Sequence, residues 1–144
     1  MTSRIRSRRP QLHLPLLVSA VLDVLMIVLF AVAGRRSHDE GVNIAGIAAT
    51  ASPFLVGAAI GWALMYVYAQ VGAPEAGARV FRPERVVPFG IAVWISTVVV
   101  GMILRAALGA GTAPSFIGVA TLTLLVFLVG WRTTADRLYR LVKG

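Results

Sequence analysis

The sequence predicts an all-α fold, a four-helix transmembrane bundle with up-down topology. The composition is 58% hydrophobic and only 14% charged, whereas soluble domains average about 25% charged residues. Four apolar runs have roughly the length of a bilayer-spanning helix, which needs about 20 residues; they are residues 14–33, 44–71, 87–108 and 115–131. Short polar connections join them, as in an antiparallel bundle. We therefore interpret residues 1–144 as a single membrane domain.

The first run, LPLLVSAVLDVLMIVLFAVA, contains Asp23 as its only charged residue. A carboxylate near the middle of a span costs about 2.5–3.5 kcal/mol on insertion scales, so it faces the bundle interior and is either partnered or protonated. The run is longer than the apolar core of a signal peptide, which is about 7–15 residues. We expect an uncleaved helix, preceded by a basic arm at residues 1–11.

The remaining runs differ in the residues that kink or end them. The second contains Pro53, so a kink is expected there, with Thr50 and Ser52 available to satisfy the carbonyl that proline leaves free. The third ends at the flexible turn GAGTAP, residues 109–114. Residues 132–144 mix leucines with arginines, a pattern typical of an amphipathic tail at the membrane surface.

The charge distribution narrows the range of partners. The net charge of +8 comes from 14 basic and 6 acidic residues. Most basic residues lie between the apolar runs, where they bind anionic lipid at the cytoplasmic face and set orientation, so nucleic acid is not an expected partner. There is no cysteine, which excludes thiolate metal sites. His13 and His38 fall on opposite sides of the predicted membrane, so no metal and no cofactor is expected.

Polar residues recur on the helix faces. At 100° per residue, Ser19 lies one turn before Asp23 on the same face, and Thr97 and Thr121 lie near the middle of their own spans. If these faces turn inward, the four side chains form a midplane polar site. The alternative is that the hydroxyls bond the carbonyl one turn back and serve only helix packing.

Glycines form a second pattern. Gly57 and Gly61 make a GxxxG motif, and Gly101 shares a stripe with Thr97 and Arg105. Because glycine lets helix backbones approach closely, we interpret these three glycines as packing positions.

An outer basic cluster is predicted on the side opposite the termini. It consists of Arg35, Arg36, His38 and Arg105. Guanidinium groups of this kind clamp a phosphate or carboxylate bidentately. The alternative is headgroup anchoring, together with pairing to Asp39 and Glu40.

The order of motifs resembles a family of small bacterial and archaeal four-helix membrane proteins catalogued as a domain of unknown function. The matching elements are Asp23, GRRSH at 34–38, PFLVG at 53–57, Gly61-Trp62, Pro88, Gly90, Trp94, Thr97, GM at 101–102, LR at 104–105, GTA at 111–113, SF at 115–116 and GWR at 130–132. The resemblance covers residues 14–132, departs from the family pattern at Pro114, and implies an integral membrane protein of unassigned activity. Most of the motif residues coincide with the midplane polar site or with the outer basic cluster.

Two function classes follow from these features. The first is a small transporter or channel-like protein, working as a homo-oligomer because four spans enclose little volume, with Asp23 binding a proton or cation. The second is a structural or accessory membrane protein that binds lipid or a partner subunit. An enzyme ranks third, because no candidate acid and base lie together.

We predict that both termini are cytoplasmic in the cell membrane. The arm, the middle loop and the tail carry 4, 3 and 4 Lys or Arg residues, whereas the first loop carries 2 and the third none; basic residues favour the cytoplasmic side. A C-terminal green fluorescent protein fusion should fluoresce, and a C-terminal alkaline phosphatase fusion should be inactive. Activity of the phosphatase fusion alone would contradict this orientation.

Overall fold

A four-helix, all-α bundle is confirmed by the computed structural model, which describes residues 14–37, 42–71 and 81–143. The helices are α1 (Leu16–Ser37), α2 (Ile44–Val71), α3 (Ile91–Ala107) and α4 (Pro114–Lys143). The described part of the chain contains no strand. Four segments are long and apolar enough to cross a membrane, so the chain is a multi-pass membrane protein. The basic arm at 1–11, His13, His38, Asp39 and Glu40 lie outside the described residues.

The helix bounds refine the four predicted runs. α2 has the bounds of the second run, whereas α4 continues without a break through the tail to Lys143. Ahead of α3, Val86–Gly90 forms one wide turn in which Val87 is extended, with φ −117° and ψ 132°. The Gly90 N–H donates to the Arg85 carbonyl, five residues back, at 3.0 Å.

Neighbouring helices along the chain run in opposite directions. Asp23, early in α1, contacts Trp62 late in α2 and Arg132 late in α4. At the other end, Phe30 late in α1 contacts Phe116 early in α4, with ring centroids 6.5 Å apart. We call the end of the bundle where α1 begins and α4 ends the terminal end. The opposite end, where α1 ends and α4 begins, is the loop end.

The α2–α3 interface brings two backbones into contact. A Cβ added at Gly57 would lie 2.9 Å from the Thr97 Cα, and one at Gly61 would lie 3.0 Å from the Val93 Cα. The Ser96 hydroxyl donates to the Gly57 carbonyl at 2.8 Å. Hydroxyl-to-carbonyl bonds between helices are typical of close membrane packing.

The loop end is filled by aromatic rings. Phe30 packs edge-on against Phe54, with centroids 5.1 Å apart, and Gly101 leaves room for the Phe54 ring, which a Cβ there would approach to 2.5 Å. In α2, the Ser52 hydroxyl donates at 3.4 Å to the carbonyl of Ala49, the group that Pro53 leaves without its helical donor. The predicted compensation by Ser52 is thus confirmed.

We predict that Gly57→Ala destabilises the protein by about 1–3 kcal/mol, because the new methyl meets backbone atoms of α3 that cannot move aside. Gly130→Ala is the matched control, since nothing lies within 4 Å of a Cβ at that position. The measurement is thermal unfolding of both variants in one detergent. Equal midpoints for Gly57→Ala and Gly130→Ala would contradict the close packing of α2 on α3.

Candidate functional site

Asp23 lies on the buried face of α1. Ser19, Asp23, Ile27 and Ala31 recur every four residues and are all buried, which is the spacing of one helix face. Asp23 itself is 2% exposed. It lies seven residues after the start of α1, about 10 Å along a helix that rises 1.5 Å per residue. The carboxylate is therefore inside the bundle, toward the terminal end.

Arg132 of α4 binds this carboxylate bidentately. Its Nη1 donates to Oδ1 of Asp23 at 2.8 Å, and its Nη2 donates to Oδ2 at 2.7 Å. The arginine is fully buried. Paired N–H···O bonds of this kind are among the strongest between side chains, because the planar fork matches the carboxylate geometry. The contact joins the first helix to the last.

Two indoles complete the coordination of Asp23. The Trp62 Nε1–H donates to Oδ2 at 2.9 Å, and the Trp131 Nε1–H donates to Oδ1 at 2.9 Å. Each carboxylate oxygen thus accepts two N–H groups. Both oxygens therefore act only as acceptors in this arrangement.

Arg132 uses its other donors on backbone carbonyls. Its Nε donates to the Pro83 carbonyl at 2.9 Å, and Nη1 also donates to the Leu128 carbonyl at 2.6 Å. Gly90 makes room for the side chain, since a Cβ there would lie 2.8 Å from the Arg132 Cδ. The guanidinium therefore also ties the segment before α3 to α4.

An aromatic wall surrounds the ion pair. The Arg132 guanidinium carbon lies 4.4 Å from the Trp131 ring centroid and 5.6 Å from that of Phe89. Phe89 packs edge-on against Trp62 at 5.0 Å and against Phe81 at 5.2 Å. These rings exclude water from the pair, which strengthens its electrostatic interactions.

The energetic balance of this cluster depends on its completeness. Bringing two ions out of water is expensive, and the pair offsets that cost only if its geometry is good and its remaining hydrogen-bonding groups are satisfied. Asp23 meets both conditions through four bonds, and Arg132 bonds two carbonyls besides. Removing one partner of a buried pair costs about 3–5 kcal/mol, because the other charge is left alone.

The other predicted polar residues do not bond Asp23. The Thr97 hydroxyl donates to the Val93 carbonyl at 2.7 Å, and the Thr121 hydroxyl donates to the Ile117 carbonyl at 2.7 Å. Both follow the packing alternative, a bond one turn back. Ser19 is buried beside Asp23, and its hydroxyl has no hydrogen-bond partner among the described residues.

The outer arginines bind separate parts of the loop end. The Arg35 Nη1 donates to the Thr50 hydroxyl at 3.5 Å, and the guanidinium lies over Gly46. The Arg105 Nη2 donates to the Ala110 carbonyl at 2.7 Å, and its guanidinium carbon lies 4.2 Å from the Phe116 ring centroid.

The turn that Arg105 binds depends on glycine. Gly109 and Gly111 have φ of 69° and 74°, a backbone region that side chains disfavour. No bond between Arg35 and Arg105 is found within the described ranges, and Arg36 is exposed. Arg35 therefore supports the start of α2, and Arg105 the turn before α4.

Two clefts open at the terminal end. The Tyr68 cleft, about 220 Å³, is lined by Met65, Tyr68, Ala69, Phe81, Arg82, Arg85, Pro88 and Phe89. The Glu84 cleft, about 230 Å³, is lined by Arg82, Glu84, Arg85, Val86, Val87, Asp136 and Arg140. Asp23 lines neither of these two clefts. Arg82 and Arg85 contribute to both, and Arg82 Nε lies 3.3 Å from a carboxylate oxygen of the buried Glu84.

Sequence reasoning missed the three side chains that bind Asp23. Trp62 and Trp131 lie toward the ends of apolar runs, where tryptophan is usual at the membrane interface, and Arg132 begins the stretch predicted to be an amphipathic tail. The sequence signal for these three side chains is the pair of motifs Gly61-Trp62 and GWR at 130–132, which also carry the family resemblance.

We predict that Arg132→Lys destabilises the protein by on the order of 2 kcal/mol, because an ammonium cannot span both carboxylate oxygens and reach the Pro83 carbonyl as well. Arg137→Lys is the matched control, since Arg137 is an exposed residue of the same helix. Thermal unfolding of both variants in the same detergent gives the comparison. Unchanged stability of Arg132→Lys would show that the bidentate geometry contributes little.

Comparison with known proteins gives a family without an assigned activity. No curated protein and no solved structure matches the chain. The family described as "Protein of unknown function (DUF3054)" matches residues 20–135. This region contains Asp23, Trp62, Trp131 and Arg132 as well as most of the four helices. The chain belongs to the DUF3054 family of proteins of unknown function.

Proposed function

We propose that this protein is an accessory membrane protein, a rigid four-helix unit that binds lipid or a partner subunit and does not move a solute through its own core. The supporting observation is the saturation of Asp23. Its two oxygens accept four N–H groups, from Arg132, Trp62 and Trp131. A carboxylate held in this way is suited to fixing helices and poorly suited to exchanging a ligand.

The energetic argument points in the same direction. For Asp23 to take up a proton or a cation, it must release Arg132, which is fully buried. The guanidinium would then remain unpaired in a low-dielectric interior, at a cost of about 3–5 kcal/mol. A transport cycle would have to pass through this unfavourable open state at every turnover, which makes the state rare and the cycle slow. A structural pair avoids this barrier, because it stays closed.

A small transporter or channel-like protein is the second candidate, and one observation favours it. Phe89 lines the Tyr68 cleft, and its ring centroid also lies 5.6 Å from the Arg132 guanidinium carbon. The cleft and the ion pair therefore share this residue, and ionisable residues within spans often mark transport pathways. Such a protein would work as a homo-oligomer, because four helices enclose little volume.

We also propose that the protein lies in the plasma or inner membrane with both termini in the cytoplasm. Arg132 is buried in an ion pair, so we do not count it among the basic residues that can contact lipid headgroups. The arm, the middle loop and the tail then carry ten Lys or Arg residues, against two in the first loop. The bias that favours a cytoplasmic terminal end therefore persists.

Ion flux in proteoliposomes tests the proposal. For the accessory function, we expect vesicles with the wild-type protein to show no more proton or cation flux than protein-free vesicles. The Asp23→Asn variant should lose about 3–5 kcal/mol of stability, because it leaves Arg132 unpaired. The double variant Asp23→Asn/Arg132→Gln, which is neutral at both positions, should recover a large part of that loss.

The double variant is also the control for transport. If the wild type carries a proton or cation flux that the folded double variant abolishes, the accessory proposal fails and the transporter is supported. The thermal midpoint of the double variant, measured in the same vesicles, separates lost function from lost fold.

A further inference from the structure

We propose that the Tyr68 cleft binds the phosphate group of an anionic phospholipid from the leaflet at the terminal end. The inference deepens the accessory function proposed above and rests on it for its biological role. The cleft lies between the last turns of α2 and the Phe81–Phe89 stretch that precedes α3. It combines two arginines with an apolar wall, the chemistry of a phosphate joined to a hydrocarbon.

The charges at the cleft favour an anion. Arg82 and Arg85 are the charged residues of its lining. Glu84, which lies outside the lining, pairs with Arg82 through Nε at 3.3 Å, so the local balance of the three groups is positive. Glu84 thus lies against the Nε edge of the Arg82 guanidinium. Arginine forks bind phosphate oxygens bidentately, with better geometry than lysine provides.

The apolar wall distinguishes a lipid from a free phosphate ion. Apart from the arginines and Tyr68, the described lining is apolar and consists of Met65, Ala69, Phe81, Pro88 and Phe89. A free phosphate has no apolar part that gains from such a wall, whereas the glycerol backbone and the first methylenes of a lipid do, because burying apolar surface away from water is favourable. A lipid is therefore the occupant that uses both halves of the cleft.

The neighbouring Glu84 cleft shows the contrast. Its lining includes two carboxylates, Glu84 and Asp136, and Arg140 pairs with Asp136 at 2.6 Å. Glu84 lies against Arg82 and Asp136 against Arg140, so these carboxylates compete with a phosphate for the guanidiniums of that cleft. Although the two clefts share Arg82 and Arg85, the described residues that line the Tyr68 cleft include no carboxylate.

The position of the cleft also suits a lipid headgroup. Tyr68 lies three residues before the end of α2, and tyrosine is enriched at the headgroup level of membranes. Exposed apolar side chains continue from the cleft along α2, where Leu64 and Val67 are 61% and 54% exposed. An acyl chain could follow this face while the phosphate stays at the arginines.

Lipid retention by the full-length protein tests this inference. The protein is placed in phosphatidylcholine nanodiscs containing graded amounts of phosphatidylglycerol, and bound lipid is counted by native mass spectrometry after release. We expect Arg85→Gln to lower phosphatidylglycerol retention about fivefold, because it removes a charge-assisted phosphate contact. Arg137→Gln is the matched control, since it removes the same charge from an exposed site at the same end and should retain lipid like the wild type.

A second variant tests the cleft without changing charge. Ala69→Phe adds a large side chain at a position that lines the cleft, and it should lower retention as strongly as Arg85→Gln does. Thermal midpoints in pure phosphatidylcholine confirm that each variant is folded. Equal loss in Arg85→Gln and Arg137→Gln, or full retention by folded Ala69→Phe, would overturn the site.

A competition arm separates the two sources of phosphate. Millimolar inorganic phosphate should leave retention unchanged, because it gains nothing from the apolar wall. Displacement of the lipid by inorganic phosphate would overturn the proposal in favour of a soluble anion. Lipid retention is measured without ion flux, so a failure here is distinct from a failure of the accessory function.

Discussion

The packing of the four helices depends on the bidentate contact between Asp23 and Arg132. Within hydrocarbon, neither charge is tolerable alone, so each must find the other and satisfy its remaining hydrogen-bonding groups. The contact joins α1 to α4, and the Pro83 carbonyl brings the segment before α3 into the same cluster. Trp62 adds α2. Every helix, or its immediate lead-in, thus has a bond that depends on this one pair.

Several residues without charge have roles that follow from the pair. Gly90 lacks a side chain where the Arg132 stem passes, and Phe89 covers the guanidinium. The α2–α3 interface works differently, since Gly57 and Gly61 let two backbones meet with no ion involved. The bundle therefore combines two means of association that membranes favour, close approach at small residues and hydrogen bonds between polar ones. The first positions α3 on α2, and the second joins α1 and α4.

Sequence reasoning found the helices and Asp23 because both depend on local signals. An apolar run of about 20 residues identifies a span by itself, and a lone carboxylate inside one is conspicuous. Arg132 gave no such signal: it follows the fourth run, where arginines usually anchor a helix to headgroups. Its burial depends on α4 continuing through the tail and on Asp23 lying at the same depth. Which arginine pairs with Asp23 is a tertiary fact, and neither periodicity nor spacing encodes it.

The sequence separation of the ion pair has a consequence for biosynthesis. Asp23 and Arg132 are 109 residues apart, so the first helix enters the bilayer long before its counter-charge has been made. Until α4 inserts, α1 carries a carboxylate whose insertion costs about 2.5–3.5 kcal/mol. A chain that stops short of α4 keeps this defect permanently, with an ionisable group exposed to lipid or to quality-control proteases. The pair thereby links the fate of the first helix to the completion of the last, and makes full-length synthesis a condition for stable residence in the membrane.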